Sequence, residues 1–583
     1  MPLIHFQPEV KYCPNHGARL KVLKTSRKQV YSTIIGKFIA YHTEYHCPVH
    51  PELGVFKSEE LHQIVPSGCN FAYDVITAIG YLRYFNHYQV EEIMDIFREK
   101  YNFKISSSEI QYLECKFITY LSIVHENSTA LLRQYIQTQG GYILHIDTTC
   151  EGDSPKLASS IDSISGFILH SAKLKSENEH EIKKFLTEIK RKFGVPLAVM
   201  SDMSRGIRKG VVEIFGDIAH YICHYHFLEM ISALLFKAEN DQLRKRLSRY
   251  GISGKLKTLK REIEKILEND NFETNDDWLN YKSDNYFRLL CYHLTVWILD
   301  YVVDKDGHFD QNHLLFYWRI KTAVRYTDKL VKLFPYDLPD ANILWKLRNM
   351  LHPIVDDKTV TPTVELYEKK LEIFNQLRAA LCIKPHKMKY KFSDDGIINS
   401  YNELKSIKKS MAKFQTTIEE KIKNDKNKKL TSSLKLIKNR LEKYHKMLYA
   451  DPIEVTMGKN KCLIFIHRTN NIIERHFRYF SHNNRRISGR NSIKSKIKTM
   501  HPETPLVLNL KNRNYVKLIF GHDFDIAQKF AEVDKQIVKE KMEKIKKCKR
   551  KFASPKINKI IRCDNFFDKI NNLFNLNIDV AVL

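Results

Sequence analysis

Between residues 141 and 227 the spacing of apolar positions changes several times, and each change marks an element. Gly141 to Cys150 reads as a first strand. Leu157 to Asp162 and Gly166 to Leu174 flank the turn-forming Ser163-Ile164-Ser165, which predicts a hairpin. From Glu179 to Phe193, residues Ile182, Phe185, Leu186, Ile189 and Phe193 fall on one helical face, and Gly194 sits just past the end. Pro196 to Asp202 is short and apolar, as a buried strand is. Arg205 to Phe215 predicts a second helix, Ala219 to Tyr225 a further strand, and another helix begins near Phe227.

Either side of this stretch the pattern differs. Lys21 to Tyr31 and Phe38 to Tyr45 alternate like strands. Phe71 to Phe85, Gln89 to Lys100 and Ser107 to Leu121 predict three helices, the third started by the capping-box spacing Ser106-x-x-Glu109. Three helices with short joints suit a helix-turn-helix module whose third helix would enter a major groove, although Glu109 and Glu114 lie on it. From about Leu228 to Asn460 helical spacing dominates, and Trp278, Trp297, Trp318 and Trp345 are expected in a core. Asp304-Lys305-Asp306-Gly307 lacks the full ligand series of a calcium loop and is read as a turn.

Three carboxylates bring chemistry into this pattern. Asp147 and Asp202 each close a strand, and Glu474 lies in the helical stretch Thr469-Asn470-Asn471-Ile472-Ile473-Glu474. Two-metal phosphoryl chemistry needs hard oxygen ligands around a pair of ions roughly 3.5–4 Å apart. An Asp at a strand end is more often a turn former or a helix cap. Here the order strand, strand, strand, helix, strand, helix, strand, helix is that of an RNase H-like fold, with Asp147 on its first strand and Asp202 ending its fourth. Together with Cys223-His224-Tyr225-His226, these segments make the chain resemble DDE transposases of bacterial insertion sequences related to the eukaryotic mutator-like group. The resemblance covers roughly residues 141–489. It implies that Asp147, Asp202 and Glu474 bind two Mg²⁺ (or Mn²⁺) ions, and that a helical insertion lies within the 474 − 202 = 272 positions that separate the last two. It carries over Cys223 and His226 as a motif of unassigned role.

A second metal motif stands near the N-terminus. Cys13-Pro14-Asn15-His16 and Cys47-Pro48-Val49-His50 are matching knuckles, 47 − 16 = 31 positions apart between inner ligands. Two thiolates and two imidazoles suit tetrahedral structural Zn²⁺, as in a zinc ribbon; two unrelated Cys/His pairs are the plainer reading.

Charge agrees with a polyanionic partner. The chain carries 95 Lys and Arg against 67 Asp and Glu, a formal net charge of +28. Between Arg475 and His501 stand Arg475, Arg478, Arg485, Arg486, Arg490, Lys494, Lys496 and Lys498 with no carboxylate, which predicts a phosphate-contacting segment. Arg485 to Arg490 is expected as a loop, while Lys539 to Lys551, which retains Glu540 and Glu543, is expected as an exposed helix and auxiliary contact. Eleven dispersed cysteines do not form a disulfide framework, and no secretory or membrane-spanning segment is apparent.

The expected architecture is multidomain α+β. It comprises a zinc-ribbon-like domain (1–66), a helical DNA-binding module (67–135), the first part of an RNase H-like core (136–228), an all-α insertion (229–460), the final part of the core with the Glu and basic segment (461–530), and a basic tail (531–583). The resemblance implies a bacterial cytoplasmic enzyme that cuts double-stranded element ends and joins them to target DNA, as a homodimer or higher assembly and with no membrane partner. A catalytically silent DNA-binding derivative and a nuclease without strand transfer are the alternatives.

Overall fold

The computed structural model describes residues 1–15, 17–50, 52, 54–269, 286–300, 311–334, 338, 340–383, 400–521 and 524–553. His16, Trp278, the turn at 304–307 and the tail beyond Ala553 lie outside them. The protein is multidomain and α+β, with two compact units: Met1–Tyr221 with Pro452–Leu583, and Ile222–Asp451.

In the first unit β2 (Lys21–Ser32) and β3 (Gly36–His46) form a long antiparallel hairpin, with β1 (Leu3–Phe6) parallel to β3 and β4 (Val55–Phe56) antiparallel to it. Phe6, Val30, Phe38 and Ala40 make a small core with Leu61 of α1 (Glu60–Ile64). Asp74, at the start of α2 (Tyr73–Tyr84), accepts the Ser32 hydroxyl at 2.6 Å and the Thr33 and Ile34 amides, fixing the hairpin tip.

Next come α3 (Val90–Glu99), α4 (Ser107–Asn127) and α5 (Thr129–Thr138). Ser106 accepts the Glu109 amide at 3.2 Å, so the expected cap forms. The second half of α4 is core: every residue from Lys116 to His125 is buried, while Ser107, Ser108, Glu109, Gln111 and Tyr112 in its first half are exposed. Apolar residues from Cys69 to Ile136 belong to the same core as the central sheet and the C-terminal helices.

That sheet has the order β7-β6-β5-β8-β9, from β5 (Ile143–Thr149), β6 (Lys156–Asp162), β7 (Ile168–Leu174), β8 (Ala198–Ser201) and β9 (Ala219–Ile222). β6 runs antiparallel to both β5 and β7, and β8 lies parallel to β5. Helix α6 (Glu179–Phe193) links β7 to β8, and α7 (Arg205–Phe215) links β8 to β9. Ile182, Phe185, Leu186, Ile189 and Phe193 are all buried, each worth about 1.5–3 kcal/mol. Gly206 lets α7 approach closely: a Cβ there would lie 2.1 Å from the Glu177 carbonyl oxygen. The last expected strand stops at Ile222 instead of Tyr225, because α8 begins at His224.

The second unit is helical in its described residues: α8 (His224–Arg249), α9 (Ile252–Asn269), α10 (Tyr286–Leu299), α11 (Asn312–Leu333), α12 (Ala341–Val355), α13 (Thr361–Ala380), α14 (Tyr401–Asn424) and α15 (Lys428–Leu448). His224, in its first helix, hydrogen-bonds the Leu448 carbonyl, in its last, at 2.7 Å. The core expectation fails for Trp297, which is 40% exposed and stacks under Arg319 instead.

The chain returns to the first unit as a hairpin, β10 (Ile453–Met457) and β11 (Asn460–Ile464), where helix was expected up to residue 460. Two five-residue strands leave too little periodicity to read. Then follow α16 (Asn471–Ser488), α17 (Lys494–Thr499), a 3₁₀ helix (Thr504–Lys511), α18 (Arg513–Phe520), α19 (Ile526–Ala531) and α20 (Lys535–Ala553). Arg485 and Arg486 occupy the last turn of α16 and not a loop; Gly489, at φ +64°, ends that helix in the left-handed conformation its missing Cβ permits. α20 is the expected helix, but Val538, Met542 and Ile545 bury one of its faces.

Candidate active site

The site is built on two neighbouring parallel strands. Ile146 of β5 pairs with Ser201 of β8 in the last step of that parallel ladder, and Asp147 and Asp202 are the residues that follow each of them. Asp147 is 7% exposed, and its Oδ1 accepts the Thr148 amide at 2.7 Å. Asp202 accepts the Ser204 amide at 2.9 Å, which turns the chain into α7.

A relay behind Asp202 holds its backbone. The Ser201 hydroxyl donates to the Asp202 carbonyl at 2.8 Å, which leaves Ser201 Oγ to accept from His220 Nε2 at 2.9 Å. Burial pushes the His220 pKa down to about 4, with nearby Arg208 acting the same way, so the ring is neutral.

Glu474 reaches the same face by a different route. Side chains alternate along a strand, so His145 and Asp147 share one face of β5. His145 Nδ1 donates to Asn470 Oδ1 at 3.0 Å, and Asn470 Nδ2 donates to the Ile146 carbonyl at 3.0 Å. Asn470 is the residue before α16, and its side chain ties that helix start to β5 instead of capping its own helix. Glu474 sits in the first turn beyond this anchor, where Ile473 and Phe477 bury the adjoining face. Burial holds the His145 pKa down near 3, assisted by His467, so the imidazole stays neutral with its proton on Nδ1.

The three carboxylates thus come from β5, the residue after β8, and the helix pinned to β5. Among the described residues they do not draw together into one single-ion cluster. A pair of ions does not require that, because each ion takes only part of the ligand set. Glu454, the other acid near this end of the chain, pairs with Lys461 across the β10–β11 hairpin at 2.6 Å. Asp162 is fully buried, but it lies at the opposite end of β5 and accepts the Ile143, Ile164 and Ser165 amides. Cys223, buried directly after β9, precedes the first residue of α8, and His226 lies in that helix's first turn.

Reading the residues alone missed Asn470 and His145. A buried-strand His beside the key Asp, and an Asn just ahead of the Glu-bearing helix, were visible, but nothing in the sequence pairs them.

The basic segment separates into two sets. Lys494 and Lys498 both pair with Asp153, and Lys496 pairs with Glu114, which Arg83 also contacts. Lys494 and Lys498 pull the Asp153 carboxyl down to about 2. These three lysines therefore already have carboxylate partners within the unit. Arg478, Arg485, Arg486 and Arg490 are exposed and, among the described residues, form no ion pair.

At the N-terminal hairpin, Cys13 and Cys47 are both buried and packed against Leu20. Burial opposes ionisation of Cys47, but the His50 and Val49 amides and the Cys13 thiol hold its pKa below the usual value. His50 Nδ1 contacts Glu52.

No protein-family model matches the chain, and no curated protein does. Among solved structures it is similar to the Drosophila P element transposase strand transfer complex, at 11% identity and a TM-score of 0.30, over 77% of this chain and 94% of that one. A likeness of that depth bears no weight on fold or function.

Proposed function

We propose that the protein is a DDE-type DNA transposase whose central sheet is an RNase H-like core, with Asp147, Asp202 and Glu474 as its metal ligands. The observation that supports this most directly is the pairing of Ile146 with Ser201, the residues just before Asp147 and Asp202, together with the bond from Asn470, at the start of the Glu474 helix, to the Ile146 carbonyl. Two Asp and one Glu carboxylate are a hard-oxygen donor set that fits Mg²⁺. The bound ions would polarise the scissile phosphodiester and lower the pKa of the attacking water or hydroxyl.

In this reading Asp147 and Asp202 hold ligand positions fixed by their strands, and the neutral His145–Asn470 pair positions Glu474. Arg485, Arg486 and Arg490 contact phosphates of the DNA. Water attacks phosphorus in line and the P–O3′ bond breaks, releasing a 3′-hydroxyl; that hydroxyl then attacks a target phosphodiester in line and displaces the target strand's own 3′-hydroxyl, with no protein–DNA covalent bond. Cys13, His16, Cys47 and His50 would bind a structural Zn²⁺; buried, paired thiols whose knuckle amides face Cys47 fit that role.

The test substitutes the amide for each carboxylate in turn. Asp147→Asn, Asp202→Asn and Glu474→Gln each abolish Mg²⁺-dependent cleavage of end DNA while leaving DNA affinity within a few-fold. Normal cleavage by Glu474→Gln refutes the ligand assignment.

A further inference from the structure

Away from the candidate active site, a groove of about 760 Å³ opens in the first unit between Pro66 and Ser67, the middle of α4 and the start of α20. Lys116 of α4 lines it and is only 5% exposed. Its ammonium lies 5.1 Å from the centre of the Tyr112 ring, and among the described residues Lys116 makes no ion pair and no hydrogen bond. A buried ammonium without a counter-charge is unfavourable, and this one has a second cation nearby. Lys28 of β2 has its pKa lowered by burial, with Cys69 opposing and the charge on Lys116 adding a smaller lowering.

α20 adds to the same wall. Lys535, Lys539 and Lys546 line the groove at positions i, i+4 and i+11, a row ~16 Å long at 1.5 Å per residue. Of the two carboxylates there, Asp534 already accepts the Gln536 and Ile537 amides at the helix start, and Glu543 is exposed. The contrast with α17 is informative. There, each lysine meets a carboxylate of its own protein; here, the most buried lysine meets none.

We propose that this groove binds the phosphodiester backbone of DNA, with Lys116 receiving one phosphate at its floor and Lys535, Lys539 and Lys546 holding those alongside. A row ~16 Å long spans about five nucleotide rises of 3.4 Å, more than one free phosphate would need. The proposal rests on the DNA-binding reading given above, and places a second contact on a surface formed by different elements from those of the catalytic carboxylates.

The experiment uses the full chain and a 30-base-pair duplex of arbitrary sequence, with no added divalent ion. Affinity is measured by fluorescence anisotropy at several KCl concentrations. Each lost phosphate contact lowers the slope of log affinity against log salt by about 0.9. Lys116→Met therefore lowers it by about 1, and Lys535→Gln/Lys539→Gln/Lys546→Gln together by about 2 to 3. Without DNA, Lys116→Met melts no lower than the parent, since it removes an uncompensated charge; should it melt lower, the surface triple variant carries the test alone. Unchanged slopes in well-folded variants overturn the groove while leaving the transposase reading intact. Absence of any DNA binding by the parent overturns that reading instead. A third arm adds inorganic phosphate. If phosphate raises the melting temperature of the parent but not of Lys116→Met, while DNA slopes are unchanged, the groove serves a small phosphate ligand and the backbone proposal fails.

Discussion

Replacing Asn470 by Ala tests how the third carboxylate is placed. The amide makes two hydrogen bonds across the β5–α16 junction, to His145 Nδ1 and to the Ile146 carbonyl, each at 3.0 Å. Its own side chain is fully buried, so water cannot readily replace it. Truncation strands the His145 N–H, at about 1–3 kcal/mol, and forfeits the second bond, at about 1 kcal/mol. The first turn of α16 should therefore lose about 2–4 kcal/mol of local stability. Amide hydrogen exchange over residues 471–477 reads this directly, as an acceleration of about 30- to 700-fold at 1.4 kcal/mol per tenfold. Peptides covering α6, on the other side of the chain connection, keep their protection. Asn470→Asp discriminates further: it still accepts from His145 but cannot donate to Ile146, so its effect falls between parent and Ala. Both variants lose Mg²⁺-dependent cleavage in proportion to the exchange change and keep their affinity for DNA. If exchange over 471–477 stays at the parental rate in the Ala variant, Asn470 is not what docks the helix.

Other outcomes follow from the same geometry. Metal analysis of the purified protein gives about one zinc per chain, and Cys13→Ser with Cys47→Ser removes it; full retention excludes this ligand set. Replacing Arg485, Arg486 and Arg490 together by Ala flattens the salt dependence of DNA binding by roughly 2 to 3 and weakens random and end sequences alike, whereas an unchanged slope removes the end of α16 from the DNA surface. Acid destabilises the first unit from pH ~6.5 downward. Burial lowers the pKa of His125 to about 4 and of His170 to about 3, so both are neutral when folded while the unfolded chain takes up protons below ~6.5. Their contribution is complete above that pH and is lost as pH falls toward 4 and 3. Melting temperature followed from pH 7 to pH 4 should drop less steeply in His170→Gln, and parallel curves would refute the assignment.

Local periodicity made the central elements legible. α6 and α7 begin and end where their apolar faces and flanking glycines indicate, and the Ser163–Ser165 turn joins β6 to β7 as expected. Asp147 and Asp202 could be singled out because each lies near the end of a recognisable strand, Asp147 two residues inside β5 and Asp202 one beyond β8; that the strands are adjacent and parallel is a long-range fact no window contains. α4 was legible only in part: its cap and length could be read, but only tertiary packing reveals that Lys116 to His125 are enclosed. The lysines of α17 look like a DNA-facing run because Asp153 and Glu114, which neutralise them, are more than 340 positions away in the chain. Asn470 was hidden likewise, since its partners His145 and Ile146 are some 325 residues earlier.

The hydrogen bond from His224 to Leu448 has a consequence for how the first unit becomes whole. It joins the first and last helices of the second unit, so 230 residues, 451 − 222 + 1, leave and return through neighbouring points of their own fold. An unstructured excursion of that length would charge the first unit a closure entropy that grows as (3/2)RT ln n. Relative to a five-residue link this is about 3 kcal/mol, and a pre-folded insertion removes most of it. Timing follows as well. At about 5–20 residues per second, some 15–55 s of synthesis separate Asp202 from Glu474. Throughout that interval the two aspartates exist without their third partner, and the sheet waits with the α16 face uncovered. Chains interrupted anywhere in those 272 positions bear both strand carboxylates and cannot complete the proposed ligand set.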